Sequence, residues 1–191
     1  MSIPREPKPA KLFLSVISSS AESIHRTLSE LTARYGALDF VSPLLPFTYT
    51  DYYCAEMGRV LFRRFASFDR LVRQEDLALI KVQTNALEDE HSEEGKRRVN
   101  IDPGYLVAER LVLATGKNYG HRIYLSKGIY GDLTLIYRDK DYHPLAWTYP
   151  DYGEPELRRW LRAIREKYLI QLRKENQTTE KNKSEIRISK S

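Results

Sequence analysis

The sequence predicts an α+β protein: a mixed, largely antiparallel sheet with helices packed on it. Three observations carry that prediction. Strand-like segments, the apolar run LFLSVIS (12–18) and RVLFRRFASF (59–68) among them, alternate with two amphipathic stretches, 20–35 and 74–91. The opening order is therefore βαββαβ, which suits a ferredoxin-like split βαβ core. Further along, HRIYLSK and DLTLIYR flank GIYG and read as a β-hairpin that would extend or cover the sheet.

Each element has its own justification. Pro4, Pro7 and Pro9 mark residues 1–10 as a flexible lead-in. Ser19 followed by Glu22 has capping-box spacing, and Ile24, Leu28, Leu31 and Tyr35 recur at helical intervals until Gly36 ends the helix. ALDFVS (37–42) is a second strand, stopped by Pro43 and Pro46. PFTYTDYYCAEMG (46–58) has no helical stripe and reads as a loop running into a strand. In 74–91, Leu77, Ile80, Thr84 and Leu87 share one helix face, with acids on the other. EEGKRR is a turn and VNI (99–101) a short strand. Asp102 suits an N-cap, Pro103 the first helical position and Gly116 a C-terminal cap, so 102–116 is expected as a short buried helix. LAWTYP (145–150) is expected as a strand. Behind Pro155, Leu157, Trp160, Leu161, Ile164 and Tyr168 make a helical stripe. Polar residues 173–191 are expected as a disordered tail, which leaves 11–172 as a single domain.

A chain of 191 residues is long enough to bury a core without disulfides or a metal. Cys54 is the one cysteine, so no internal disulfide forms and a reducing cytoplasm is the expected location. No apolar run approaches the roughly 18 residues of a membrane span, and the N-terminus does not read as a signal peptide. No membrane partner is expected. The net charge of +5 is uneven: residues 153–191 carry eleven Lys/Arg and six Asp/Glu, so the rest of the chain is neutral. That basic arm, with Arg158, Arg159, Arg162 and Arg165, suits RNA or an acidic partner as a non-enzymatic binding module. A solvated helix face followed by a tail accounts for the same residues.

Two segments hold the densest chemistry, 49–56 and 117–124. Lys117 and Arg122 suit a phosphate or carboxylate, Arg by its bidentate fork. His121 has a side chain fit for proton transfer, with Asp51 or Glu56 to orient it or act as base. Tyr52 and Tyr124 would be aromatic contacts of the same site. The expected function is binding of an anionic small molecule, a nucleotide or another phosphorylated compound, with acid–base chemistry left open. The structural alternative has His121 bonding a backbone carbonyl and Arg122 pairing with Asp132 across the hairpin. Asp51, Glu56 and His121 are an alternative ligand set for a hard divalent ion, but scattered acids more often cap or solvate, and no CxxC or HExxH spacing occurs. The sequence names no metal and no cofactor. ATGKNYG is not a P-loop, because it lacks the earlier Gly and the Ser/Thr after Lys117. Cys54 has no His or Lys neighbour to activate it, and no RNP1-like run supports base stacking by the tyrosines.

The stretches PFTYTDYYCAEMG, IKVQTNALE, VNIDPGYLVAERLVLATGKNYGHRIYLSKGIYGDLTL and WTYPDY together resemble a bacterial family known as domain of unknown function 4416. The resemblance covers about residues 10–170. It implies membership without an established activity. Some members carry a GTP-binding label, which has no P-loop to match it in this sequence.

Overall fold

The first apolar run becomes the strand on which the sheet is built. The computed structural model describes residues 2–188, with side chains to residue 175. Strand β1 (Ala10–Ser18) is buried at every position. Antiparallel to it, one on each side, lie β4 (Phe62–Val72) and β5 (Val99–Leu106). The outer edge of β4 pairs first with β2 (Leu38–Val41) and then with β3 (Leu45–Pro46), and the link from β3 to β4 carries a one-turn helix, α2 (Cys54–Met57). The order β2-β4-β1-β5, with α1 (Ala21–Tyr35) and α3 (Leu77–Glu90) on one face, is the ferredoxin-like arrangement the opening order implied. Past β5 the sheet continues through β6 (Arg110–Thr115) to β8 (Ile129–Arg138). On the outer edge of β8, β7 (Arg122–Ser126) and β9 (Asp141–Pro144) lie end to end.

Alternation along β1 divides the core into two layers. Leu12, Leu14 and Val16 pack with Ile24, Leu28 and Leu31 of α1 and Ile80 and Leu87 of α3. Phe13 faces the other way, toward Leu157, Leu161, Ile164 and Tyr168 of the C-terminal helix, α4 (Pro155–Ile188). Each such side chain contributes about 1.5–3 kcal/mol by burial. Lys11 is fully buried yet satisfied: Nζ donates to Asp39 Oδ2 at 2.8 Å and to the Phe68 carbonyl at 2.9 Å, which ties β2 to the centre of the sheet. No helix among the described residues is long and apolar enough to cross a membrane. Within the expected tail, 173–191, the backbone continues α4 to Ile188, and residues 189–191 lie outside the described residues.

Four local expectations are corrected. The cap of α1 is Ser20, whose Oγ accepts from Ser23 N at 3.2 Å, in place of Ser19. Segment 46–58 ends in α2 instead of a strand. Residues 102–116 are the second half of β5, a turn and β6, not a helix. That stretch is apolar on all sides, which two central strands covered on both faces accommodate. Val112 and Ala114 bury toward Leu77 and Ala78 of α3, while Leu106, Leu111 and Leu113 bury toward α4. Residues 145–150 form a turn and not a strand. Their side chains do the pairing instead: Trp147 Nε1 donates to the Leu133 carbonyl at 2.9 Å, and Thr148 Oγ1 to the Thr134 carbonyl at 2.5 Å. These bonds fill the stretch of β8 edge left between β7 and β9.

The sheet parts between β5 and β6. The two strands pair over Gly104–Leu106 opposite Leu111–Leu113. Gly104 permits the junction, because a Cβ there would stand 2.5 Å from the Val112 carbonyl oxygen and 2.6 Å from Leu113 Cδ2. Before Gly104, β5 has β1 on one side and α3 on the other. Lys81 Nζ donates to the Ile101 carbonyl at 2.7 Å, and the Ile101 N–H donates to Glu88 Oε1 at 2.6 Å. Pro103 has the same parity as Ile101, so the N–H it lacks would also have pointed away from β1. Gly104→Ala should therefore lower the unfolding free energy by about 2 kcal/mol in urea titrations. Gly116→Ala, where a Cβ meets nothing within 4 Å, should stay within about 0.5 kcal/mol of wild type.

Candidate functional site

Where β5 and β6 part, a cleft of about 700 Å³ opens on the sheet. Its floor is polar: Arg63 of β4, Asn100 and Asp102 of β5, Thr115 of β6, and Asp132 and Thr134 of β8. Lys81, Asn85, Glu88 and Asp89 line it from α3. Three loops form the rim, and each is pinned to the sheet or the core by its own side chains. Phe47 and Met57 bury against Ile17 and Leu61, which suspends Tyr49–Tyr53 over the opening. Trp147 and Thr148 are held by their bonds to the β8 edge. Lys117 is held through Arg122, whose Nη1 donates to the Lys117 carbonyl at 2.9 Å while Nε donates to Asp132 Oδ2 at 2.8 Å.

Charge in the cleft is nearly balanced. Among the described residues five cations and five carboxylates line it, so no broad field draws anions in and individual groups decide. Arg63 pairs with Asp151, Arg122 with Asp132, and Lys81 with Asp102 and Glu88. Arg97 takes Glu56 in a fork, Nε to Oε2 at 2.6 Å and Nη2 to Oε1 at 2.8 Å. Lys117 is the exception. Its ammonium faces no carboxylate among the described residues and lies 4.2 Å from the centre of the Tyr52 ring. Tyr49, Tyr52, Trp147 and Tyr149 are all substantially exposed at the rim, which gives the mouth an unusual aromatic surface.

The two segments singled out in the sequence do meet across this cleft, but only some of their residues reach it. Lys117, Arg122 and Tyr52 line it. Arg122 pairs with Asp132 as the structural alternative expected, so its work is to hold the loop of Lys117. Glu56 sits behind Arg97, whose fork holds its carboxyl below the usual range. His121 lies outside, stacked on Trp147 at 4.9 Å, with Nε2 3.4 Å from Asp132 Oδ2 but without hydrogen-bond geometry. Asp51 is on the exposed side of its loop and accepts from Cys54 Sγ at 3.6 Å, while desolvation and that bond push the thiol up. Tyr124 is exposed on β7, edge-on to Tyr130. Among the described residues no group of His, Cys, Asp and Glu could hold a metal ion.

Asp102 was expected as a helix cap and is instead a cleft carboxylate, accepting from Asn100 Nδ2 at 2.7 Å and Lys81 Nζ at 3.5 Å. Sequence reasoning missed Lys81, Asn85 and Glu88 as well. Their spacing of four and three places all three on one side of α3, and that side was available to see. Arg63, Asp151 and Tyr152 gave no comparable signal, since they meet through β4 and a turn 88 residues away. The four arginines named in the basic arm are occupied within the chain. Arg158 and Arg162 pair with Asp141, Arg159 with Glu156, and Arg165 Nε donates to the Ala108 carbonyl at 2.7 Å.

Residues 8–168 match the family model described as domain of unknown function DUF4416, so the chain belongs to that family. The matched segment includes every residue of the cleft, from Phe47 to Tyr152. No curated protein and no solved structure matches the chain.

Among the carboxyls that line the cleft, Glu88 is the one its surroundings alter most. Burial pushes its carboxyl up to about 7, against the pull of Lys81, the Ile101 N–H and Arg97. A carboxyl raised in the fold stabilises it fully below its unfolded value near 4.5, and that stability is lost as pH rises through about 7. Glu88→Gln removes the ionisation and keeps an oxygen for Ile101. Relative to wild type, the variant should therefore gain roughly 3 kcal/mol of unfolding free energy between pH 4.5 and 8, measured by urea titration at each pH. A constant difference across that range would show that Glu88 ionises in the fold as it does in the unfolded chain.

Proposed function

We propose that this DUF4416 protein binds a small anionic molecule carrying a ring, a nucleotide or another phosphorylated compound, in the cleft where β5 and β6 part. The observation that carries the proposal is Lys117: a cation on the rim of a charge-balanced cleft, facing no carboxylate among the described residues and backed by the ring of Tyr52. A charge-assisted bond from such a group to a phosphate or carboxylate is worth about 1.5–3 kcal/mol. The exposed rim rings supply stacking surface for the rest of the ligand. Arg122 serves this site by fixing the Lys117 loop and not by touching the ligand. Acid–base chemistry in the cleft belongs to Glu88 and Asp102, which share Lys81, in preference to His121 with Asp51 or Glu56.

A thermal-shift panel tests this. It comprises AMP, GMP, CMP, UMP, glucose 6-phosphate and inorganic phosphate, applied to wild type, Lys117→Ala and Tyr52→Ala. A ligand at 100 times its Kd should stabilise the wild type by about 2.7 kcal/mol, a shift of several degrees. Lys117→Ala should weaken that ligand at least about tenfold. Binding that is indifferent to Lys117, or silence across the whole panel, would overturn the proposal.

A further inference from the structure

The inner end of the cleft holds two hydrogen-bond donors that the protein leaves unused. Arg63 and Tyr152 are 6% and 3% exposed and both line the cleft. One nitrogen of Arg63, Nη1, is taken by Asp151, but Nε has no partner among the described residues. The Tyr152 hydroxyl has none either. The two side chains are neighbours, since the guanidinium carbon lies 5.6 Å from the centre of the Tyr152 ring. Phe47 and Phe65 close the same guanidinium in, at 4.4 and 4.9 Å from their ring centres. Burial pushes the Tyr152 phenol well up, so it stays a donor. A buried donor left unmade costs about 1–3 kcal/mol, and two on neighbouring side chains of one cleft point to an acceptor that comes from outside the chain.

The acceptor's charge follows from Asp151. Its carboxylate already neutralises the guanidinium, so a second anion placed there would meet a pair with no net charge and lose its hydration. An uncharged oxygen satisfies both donors without that penalty. We propose that Arg63 and Tyr152 form a carbonyl-recognition subsite, which takes the ring carbonyl of a planar cyclic amide such as an oxopurine or a uracil-type base. This rests on the cleft being the ligand site proposed above, with Lys117 holding the anionic group. The subsite rejects an amino group at the same ring position, because that would set donor against donors.

The test pairs nucleotides that differ at that one position, IMP against AMP and UMP against CMP, by calorimetric titration of wild type and Tyr152→Phe. The wild type should prefer the oxo member of at least one pair by about tenfold or more, and Tyr152→Phe should reduce that preference to about threefold or less. Without ligand, Tyr152→Phe should melt at the wild-type temperature or above it, because the lost hydroxyl had no partner. A drop of several degrees would show that the hydroxyl is already satisfied and would overturn the subsite. Equal affinities for oxo and amino members would also overturn the subsite while leaving the cleft as a ligand site. Silence from all four nucleotides would remove both.

Discussion

The parting of β5 from β6 is the constraint on which the cleft depends. It leaves the N–H and the carbonyl of Ile101 without a strand to bond. Buried and unpaired, each would cost about 1–3 kcal/mol. Their partners are two charged side chains of α3 and not water, and that choice has consequences. Lys81 and Glu88 bring opposite charges into a half-apolar interior, where neither is tolerable alone. Asp102 and Asn100 on β5 and Arg97 just before it complete the set, and Glu56 holds Arg97 from α2. A gap in backbone pairing has thus become a connected network of ionisable groups beside a cavity. Gly104 sets where the gap begins, by allowing the close crossing just after it.

The rim follows a different logic. Its loops are fixed to the sheet and the core: apolar anchors for 47–57, side-chain bonds to β8 for 145–149, and Arg122 for 116–121. The side chains of Tyr52 and Lys117 are separable from the groups that hold the loops. Tyr52 and Lys117 can change without loosening Phe47, Met57 or Arg122.

Much of the fold could be read from the sequence, and the reasons are local. The stripes of α1, α3 and α4 are periodic, and β1 is an unbroken apolar run, so their type and order follow from pattern. The stretch 102–116 could not be read so. Asp, Pro and Gly at its ends have helix-boundary chemistry, and only pairing with strands far along the chain decides against it. The site divides the same way. Lys117, Arg122 and Tyr52 stand in compositionally odd segments and were visible. His121 and Asp51 stand in those segments too, but the backbone turns them away from the cleft. Arg63 and Tyr152 meet across 89 residues, and no local pattern encodes such a meeting.

The position of α4 in the chain bears on how the protein is made. Every strand is synthesised before it, yet it covers one whole layer of the core, with Phe13, Phe65, Leu111 and Leu135 beneath it. Its Tyr168 hydroxyl reaches back to the Pro9 carbonyl at 2.9 Å, joining the two ends of the fold. A nascent chain that has finished the sheet must carry this apolar face uncovered until the helix emerges, an interval on the order of seconds at ribosomal speed. Aggregation during synthesis is concentrated in that interval, and a chain broken off before Pro155 never leaves it.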